Sequence, residues 1–161
     1  MHITKAAADD LQKILQIYSN ARDFMKKTGN KDQWKNHYPP KELLEEDIKK
    51  GNLYIVKTKE DSVCGVFAFI IGSEPTYAKI TQGQWLSSTE YGTLHRVAGD
   101  GTVHGVFHAM VTFCSNQISH LRIDTHNDNK VMQHLILKND FQECGIIYLA
   151  DGSPRIAYER L

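Results

Sequence analysis

The chain has 161 residues, 41% hydrophobic and 24% charged, which is ordinary globular usage and excludes wholesale disorder. Lys plus Arg is 19 and Asp plus Glu is 19, so no net field draws the protein to nucleic acid or to an anionic bilayer. The size suits one domain over residues 1–161 with a core of its own. Cys64, Cys114 and Cys144 form no CxxC pair and are too few for a disulfide framework, so they read as reduced, buried thiols. The first residues lack the apolar core of a signal peptide. The longest apolar run, Val66 to Ile71, falls far short of the ~20 residues a membrane helix needs. A cytoplasmic protein with no membrane or nucleic-acid partner is expected.

In chain order, Leu11, Ile14, Leu15, Tyr18, Ala21 and Met25 recur at three- and four-residue steps and predict a long helix. Asp9 or Asp10 caps it, and Gly29 with Asn30 ends it. A polar stretch holding Trp34 and Tyr38 leads through Pro39 and Pro40 into a second helix, Lys41 to Lys50, stopped by Gly51. Leu53 to Lys59 and Val63 to Ile71 read as a hairpin about Glu60-Asp61-Ser62. The second of these runs is apolar almost throughout, as a strand covered on both faces would be. Gly72 to Glu90 carries no assignable pattern. Gly92 to Ala98 alternates as a strand, with Thr93, His95 and Val97 on one face and Leu94, Arg96 and Ala98 on the other.

The turn Gly99 to Gly105 opens a helix, apolar over a wide arc, that runs to about Gln117. Leu121 to His126 is a strand, with Arg122, Asp124 and His126 on one face. A short helix from Asn129 to Leu137 and strands near Gly145 to Leu149 and Arg155 to Glu159 complete the chain. The order β-α-α-β-β-β-α-β-α-β-β is a mixed α+β domain. A glycine-bearing turn ahead of a helix is either an anion site built from backbone N–H groups or an unliganded turn.

The order of these elements, with Asn129, Lys138 and Phe141 at their spacing, resembles the GCN5-related N-acetyltransferases (GNAT family). In that family an Asn opens a short helix that closes on a Lys-x-Gly-Phe turn; Asp140 stands here for the Gly, a mild change because Asp tolerates a left-handed helix end. The resemblance implies a mostly antiparallel sheet flanked by helices, with its fourth and fifth strands splayed to admit acetyl-CoA. It places the pyrophosphate on the amides of Val103, His104, Gly105, Val106 and Phe107. It places the pantetheine along Val97 and Ala98, and Asn129 near the thioester. Of the family's Arg/Gln, Gly and Gly/Ala loop positions, filled here by Thr102, Gly105 and Phe107, only Gly105 fits, and no Arg or Lys supplies charge. Phe107 either narrows the phosphate site or points into the core. The family's tyrosine acid falls on Ile136.

Transfer of acetyl to an amine needs a base for the ammonium proton and donors for the thioester oxygen. His126, His95 and Glu90 are the candidate bases. Trp34 and Tyr38 either wall the acceptor site or pack the first two helices together. His104 and His108 are four apart but lack the Glu and third ligand of a zinc site, so no metal is expected. The expected activity is acetyl-CoA-dependent N-acetylation of a small-molecule amine by direct attack in a ternary complex. The alternative is a catalytically weak acyl-CoA-binding module on the same fold. The resemblance also allows a homodimer, and the apolar strand Arg155 to Tyr158 is a candidate for pairing across it.

Overall fold

Ile14, Ile17 and Tyr18 are fully buried, and they orient the first long helix, α1 (Leu11–Lys27), against the sheet. A computed structural model describes all of residues 1–161. A short strand, β1 (His2–Lys5), precedes α1, and α2 (Lys41–Lys49) follows the paired prolines. Then come β2 (Leu53–Lys57), β3 (Val63–Ile71), β4 (Gly92–Gly99), α3 (Val106–Ser115), β5 (Leu121–Thr125), α4 (Lys130–Lys138), β6 (Gln142–Tyr148) and β7 (Pro154–Arg160). This is the order expected. β2 stops at Lys57 because the Thr58 hydroxyl accepts from the N–H groups of Glu60 and Ser62 and closes the hairpin turn there.

The strands form one sheet in the order β1-β2-β3-β4-β5-β7-β6, antiparallel except between β4 and β5. β3 is covered on both faces, as its apolar run implies. Val66 and Ala68 pack with Ile14, Ile17, Tyr18 and Leu44 of α1 and α2. Phe67 and Phe69 pack with Phe107, Met110, Val111 and Cys114 of α3 and Ile136 of α4. A Cβ on Gly65 would lie 2.7 Å from the Val106 side chain, so glycine is what lets α3 settle on β3. β7 lies between β5 and β6, with both edges taken. It therefore cannot pair across an interface in the way its apolar sequence suggested.

Two features position the site. First, the alternation expected along β4 breaks. The β3–β4 register shifts between Val66 and Ala68, and Arg96 takes a φ of 52°. This bulge brings Val97 to the α3 face beside Leu94 and turns Arg96 to the α1–α2 face, where it meets Asp47 at 2.7 Å. Second, the unassigned stretch after β3 has one turn of 3-10 helix at Pro75–Tyr77 and is otherwise a loop. A buried clasp anchors it to the sheet. Arg122 of β5 lies between the Trp85 and Tyr91 rings, 3.8 and 4.0 Å from their centres. Glu159 of β7, fully buried, accepts from Arg122, His120 and the Leu86 N–H. The loop lacks a periodic pattern because side-chain and cation–π contacts hold it, while few ladder bonds do.

Candidate functional site

β4 and β5 run parallel but pair only at Gly92↔Leu121 and Thr93↔Arg122. Past those residues the ladder ends, and the carboxy-terminal halves of the two strands part. Functional groups gather on both sides of this opening.

On the α3 side, the N–H groups of Val103, His104, Gly105, Val106, Phe107 and His108 donate to no acceptor in the chain. The first bond of α3 runs from the Ala109 N–H to the Gly105 carbonyl, 3.0 Å. Gly105 sits at the helix N-cap with φ 81°, a conformation that favours glycine and aims the following amides outward together. Asp100 is turned back on the loop: its Oδ1 accepts from the Thr102 N–H at 2.9 Å and the Thr102 hydroxyl at 2.6 Å. Phe107 is 6% exposed and packs in the core, so it does not narrow the loop. Val97 is partly buried on the α3 face and Ala98 is buried on the other, while His104 is exposed. A groove of about 280 Å³ lies outside the strand opening, along α3, starting at His108 and lined by Thr112, Ser115, Lys138 and Arg160.

On the α1–α2 face, His95 Nε2 lies 3.3 Å from Glu74 Oε2. Glu74 caps the Pro75–Tyr77 turn by accepting from the Thr76 N–H. Its carboxyl is held down to about 2, mainly by the bond from His95. With Nε2 facing the carboxylate, Nδ1 of His95 is the ring atom left for a ligand. Beside this pair, the Tyr77 hydroxyl donates to Asp124 Oδ2 at 2.7 Å. Burial pushes the Asp124 carboxyl up, against the bond from Tyr77 and the charges of His95 and Arg155. Glu74 and Tyr77 come from the stretch without periodicity, so the sequence carried no signal for them.

The other candidates fall at different places. His126 stands just past β5; its Nδ1 accepts from the Asp128 N–H at 3.0 Å, which puts the ring proton on Nε2. Burial, then the nearby Arg155, hold its pKa below the ordinary histidine value. A ring whose acceptor nitrogen is already used is a donor rather than a base. Glu90 is exposed and precedes the amino-terminal end of β4. That is five residues before His95, or about 16 Å along a strand at ~3.3 Å per residue. It stands at the far end from the opening and is not placed to act as the base. Asn129 caps α4: its Oδ1 accepts from the Met132 N–H and its Nδ2 donates to Gln33 Oε1 at 2.9 Å. That bond ties the α1–α2 loop to the head of α4. Trp34 stacks edge-on against buried Tyr18 at 5.6 Å and Tyr38 lies 6.3 Å beyond it. Ile136 is fully buried.

A sheet whose fourth and fifth strands part beside a helix that opens on free amides is the architecture of the GCN5-related N-acetyltransferases, and the chain has that fold. Over 99% of its length it superposes on 94% of a GNAT-family acetyltransferase from Streptococcus agalactiae, with a TM-score of 0.90 and 28% identity. A GNAT-family acetyltransferase from Listeria monocytogenes aligns with 99% of this chain and 93% of its own, at a TM-score of 0.72 and 17% identity. A ribosomal-protein-alanine N-acetyltransferase from Brucella melitensis aligns with 100% and 99%, at 0.66 and 14%. No family model and no curated protein matches the sequence. No helix is long and apolar enough to cross a membrane.

Proposed function

We propose that the protein is an acetyl-CoA-dependent N-acetyltransferase that acts on a small-molecule amine by direct attack in a ternary complex. The observation that carries this is the run of six unbonded amides opening α3 beside the parted strands. Phosphate is the ligand such a run holds best, since the donors converge and the helix dipole adds to them. Acetyl-CoA supplies the activated acetyl group and its diphosphate. The amides of Val103 to Phe107 would bind the diphosphate. Lys138, on the groove that starts at His108, would add the positive charge the loop lacks. The backbone of Val97 and Ala98 would guide the pantetheine, and the cap at Asn129 would fix the head of α4 beside the thioester.

For the transfer, Nδ1 of His95 takes the proton from the acceptor ammonium while Glu74 holds the ring at Nε2. The freed amine nitrogen forms a bond to the acetyl carbon. The carbon–sulfur bond breaks with its electron pair on sulfur, and the acylated nitrogen gives up its surplus proton to solvent. The thiolate takes a proton from solvent, because Ile136 offers no acid. His126 Nε2–H is the donor nearest in role to a thioester-oxygen partner. Trp34 and Tyr38 wall the acceptor side. A homodimer, if formed, uses a surface other than β7.

A thermal melt with acetyl-CoA or CoA, and with ATP as control, tests the first half. Ligand at 100 times its Kd adds about 2.7 kcal/mol, or roughly 5–10 °C at this size. No shift at millimolar ligand overturns the acetyl-CoA site. Thiol release with an amine panel tests the second half, and His95→Gln should lower kcat/KM by ~10²–10⁴-fold with the melt shift retained. The buried Ile136 at the acid position favours the second reading, an acyl-CoA-binding module. Tight CoA binding without thiol release from any amine would establish that reading.

A further inference from the structure

Three arginines are buried in this chain or nearly so, and two of them have a carboxylate. Arg96 meets Asp47 at 2.7 Å, and Arg122 meets Glu159 at 3.0 Å. Arg155, 5% exposed, has none. Its Nη1 donates to the Pro154 carbonyl at 2.8 Å and its Nη2 to the Gln33 carbonyl at 3.2 Å. Of the five N–H donors of a guanidinium, those two bonds leave three unused. Burial lowers its pKa, opposed by Asp124, Asp151 and Tyr38. A buried cation that meets only carbonyls is incompletely compensated, and an incoming anion completes it.

Its position says which anion. Arg155 is on β7 one residue before Ile156, the partner of Thr125 at the end of β5. It is thus at the carboxy-terminal end of β5, where the strands have parted. The titratable groups facing it come from every neighbouring element: Asp124 and His126 from β5 and its end, Asp151 from the β6–β7 loop and Tyr38 from the α1–α2 loop, with Lys35 of that loop facing Asp151 and His126 in turn. Ala157 pairs with Asp124, so Arg155, two residues before Ala157, lies on the Asp124 face of the sheet. The Pro75–Tyr77 turn meets that face twice, through Tyr77 on Asp124 and Glu74 on His95. The base, one carboxylate and Arg155 therefore lie on one face at the parted strands. A carboxylate beside the base suits an ammonium, and a guanidinium across from it suits a second carboxylate on the same molecule.

We infer that the acceptor is an amine that also carries a carboxylate, an amino acid or a close analogue, with its carboxylate on Arg155 and its amine toward His95. This rests on the transferase reading above and narrows its substrate. Arg155 holds the far end of the acceptor and sets specificity without touching the reacting atoms. A bare polyamine, which has no carboxylate, fits this site poorly.

The test pairs each protein amino acid with the amine left by its decarboxylation and compares kcat/KM within each pair. For the preferred pair the amino acid should win by at least ~10-fold, the order a charge-assisted bidentate contact supplies. In Arg155→Met that ratio should fall to about one, with Arg155→Lys between the two. Circular dichroism melts identify a variant that has failed to fold, and the wild-type ratios stand without it. A wild-type ratio near one for every pair, or a ratio unchanged in a folded Arg155→Met, overturns the inference. Where nothing in the panel is acetylated, saturation-transfer NMR with CoA present decides between the two claims. Binding by amino acids and not by their amines sustains the carboxylate site while the transferase reading fails. Equal binding, or none, overturns the carboxylate site as well.

Discussion

At the scale of single residues, the site turns on what each ring nitrogen is already doing. His95 and His126 are equivalent in sequence, each a histidine on or just past a strand of the parted pair. The structure separates them by partners 21 and two residues away, Glu74 and the Asp128 N–H. The Glu74 carboxyl is depressed to about 2. Its contribution is therefore complete above the ordinary carboxylate range, near pH 4.5, and is lost as pH falls from there through about 2. Glu74→Gln should cost on the order of 1–3 kcal/mol at neutral pH. Urea melts from pH 7 to pH 2 should show the difference between wild type and variant shrinking across that acid window. A constant difference would mean that Glu74 acts through packing and its cap on Thr76. The histidines were readable as candidates because residue type and strand position suffice for that. Glu74 was not, since no local rule links a loop carboxylate to a strand histidine across an unpatterned stretch.

At the scale of elements, α3 shows the same division. Its apolar arc predicted burial, and Phe107, Met110, Val111 and Cys114 are buried. Whether Phe107 would face the core or the loop before α3 depended on the phase of the helix against β3, which the seating of Val106 on Gly65, where no Cβ would fit, settles. Phe107→Ala should therefore cost about 3–5 kcal/mol in a denaturant melt and leave acetyl-CoA affinity no tighter. A marked gain in affinity would show that the ring obstructs the loop after all. Gly105→Ala should act differently. At φ 81° it costs about 1–2 kcal/mol of backbone strain and weakens acetyl-CoA binding, which isothermal titration reads directly. β4 is the element whose pattern misled. Strict alternation is the default for a strand, and the bulge at Arg96 inserts a residue that shifts every side chain after it.

Across the whole molecule, the clasp of Glu159, His120, Arg122, Trp85 and Tyr91 joins the loop after β3 to the last strands. That loop also carries Glu74 and Tyr77, so the clasp holds the side proposed for the acceptor in place as well as stabilising the fold. Glu159→Ala leaves Arg122 and the Leu86 N–H buried without their acceptor, and should cost about 3–5 kcal/mol. If the loop is held as described, the residual folded enzyme should lose activity with its acetyl-CoA melt shift intact, because the α3 side is untouched. Loss of the melt shift alongside activity would instead place the damage in the core that both sides share.

The order of elements, the double-sided burial of β3 and the amphipathic helices follow from local periodicity, because burial of a 3.6- or two-residue face is a property of adjacent residues. The glycine turn before α3 was visible for the same reason: it needs only a few consecutive residues to present its amides. The parting of β4 and β5 was foreseen through the family resemblance alone and not from periodicity, while the bulge, the Glu74–His95 and Tyr77–Asp124 pairs and the incompletely compensated Arg155 emerge only in three dimensions. Each depends on which distant segments the sheet order brings together. The charge balance of a buried group is set by those neighbours rather than by its own stretch of chain.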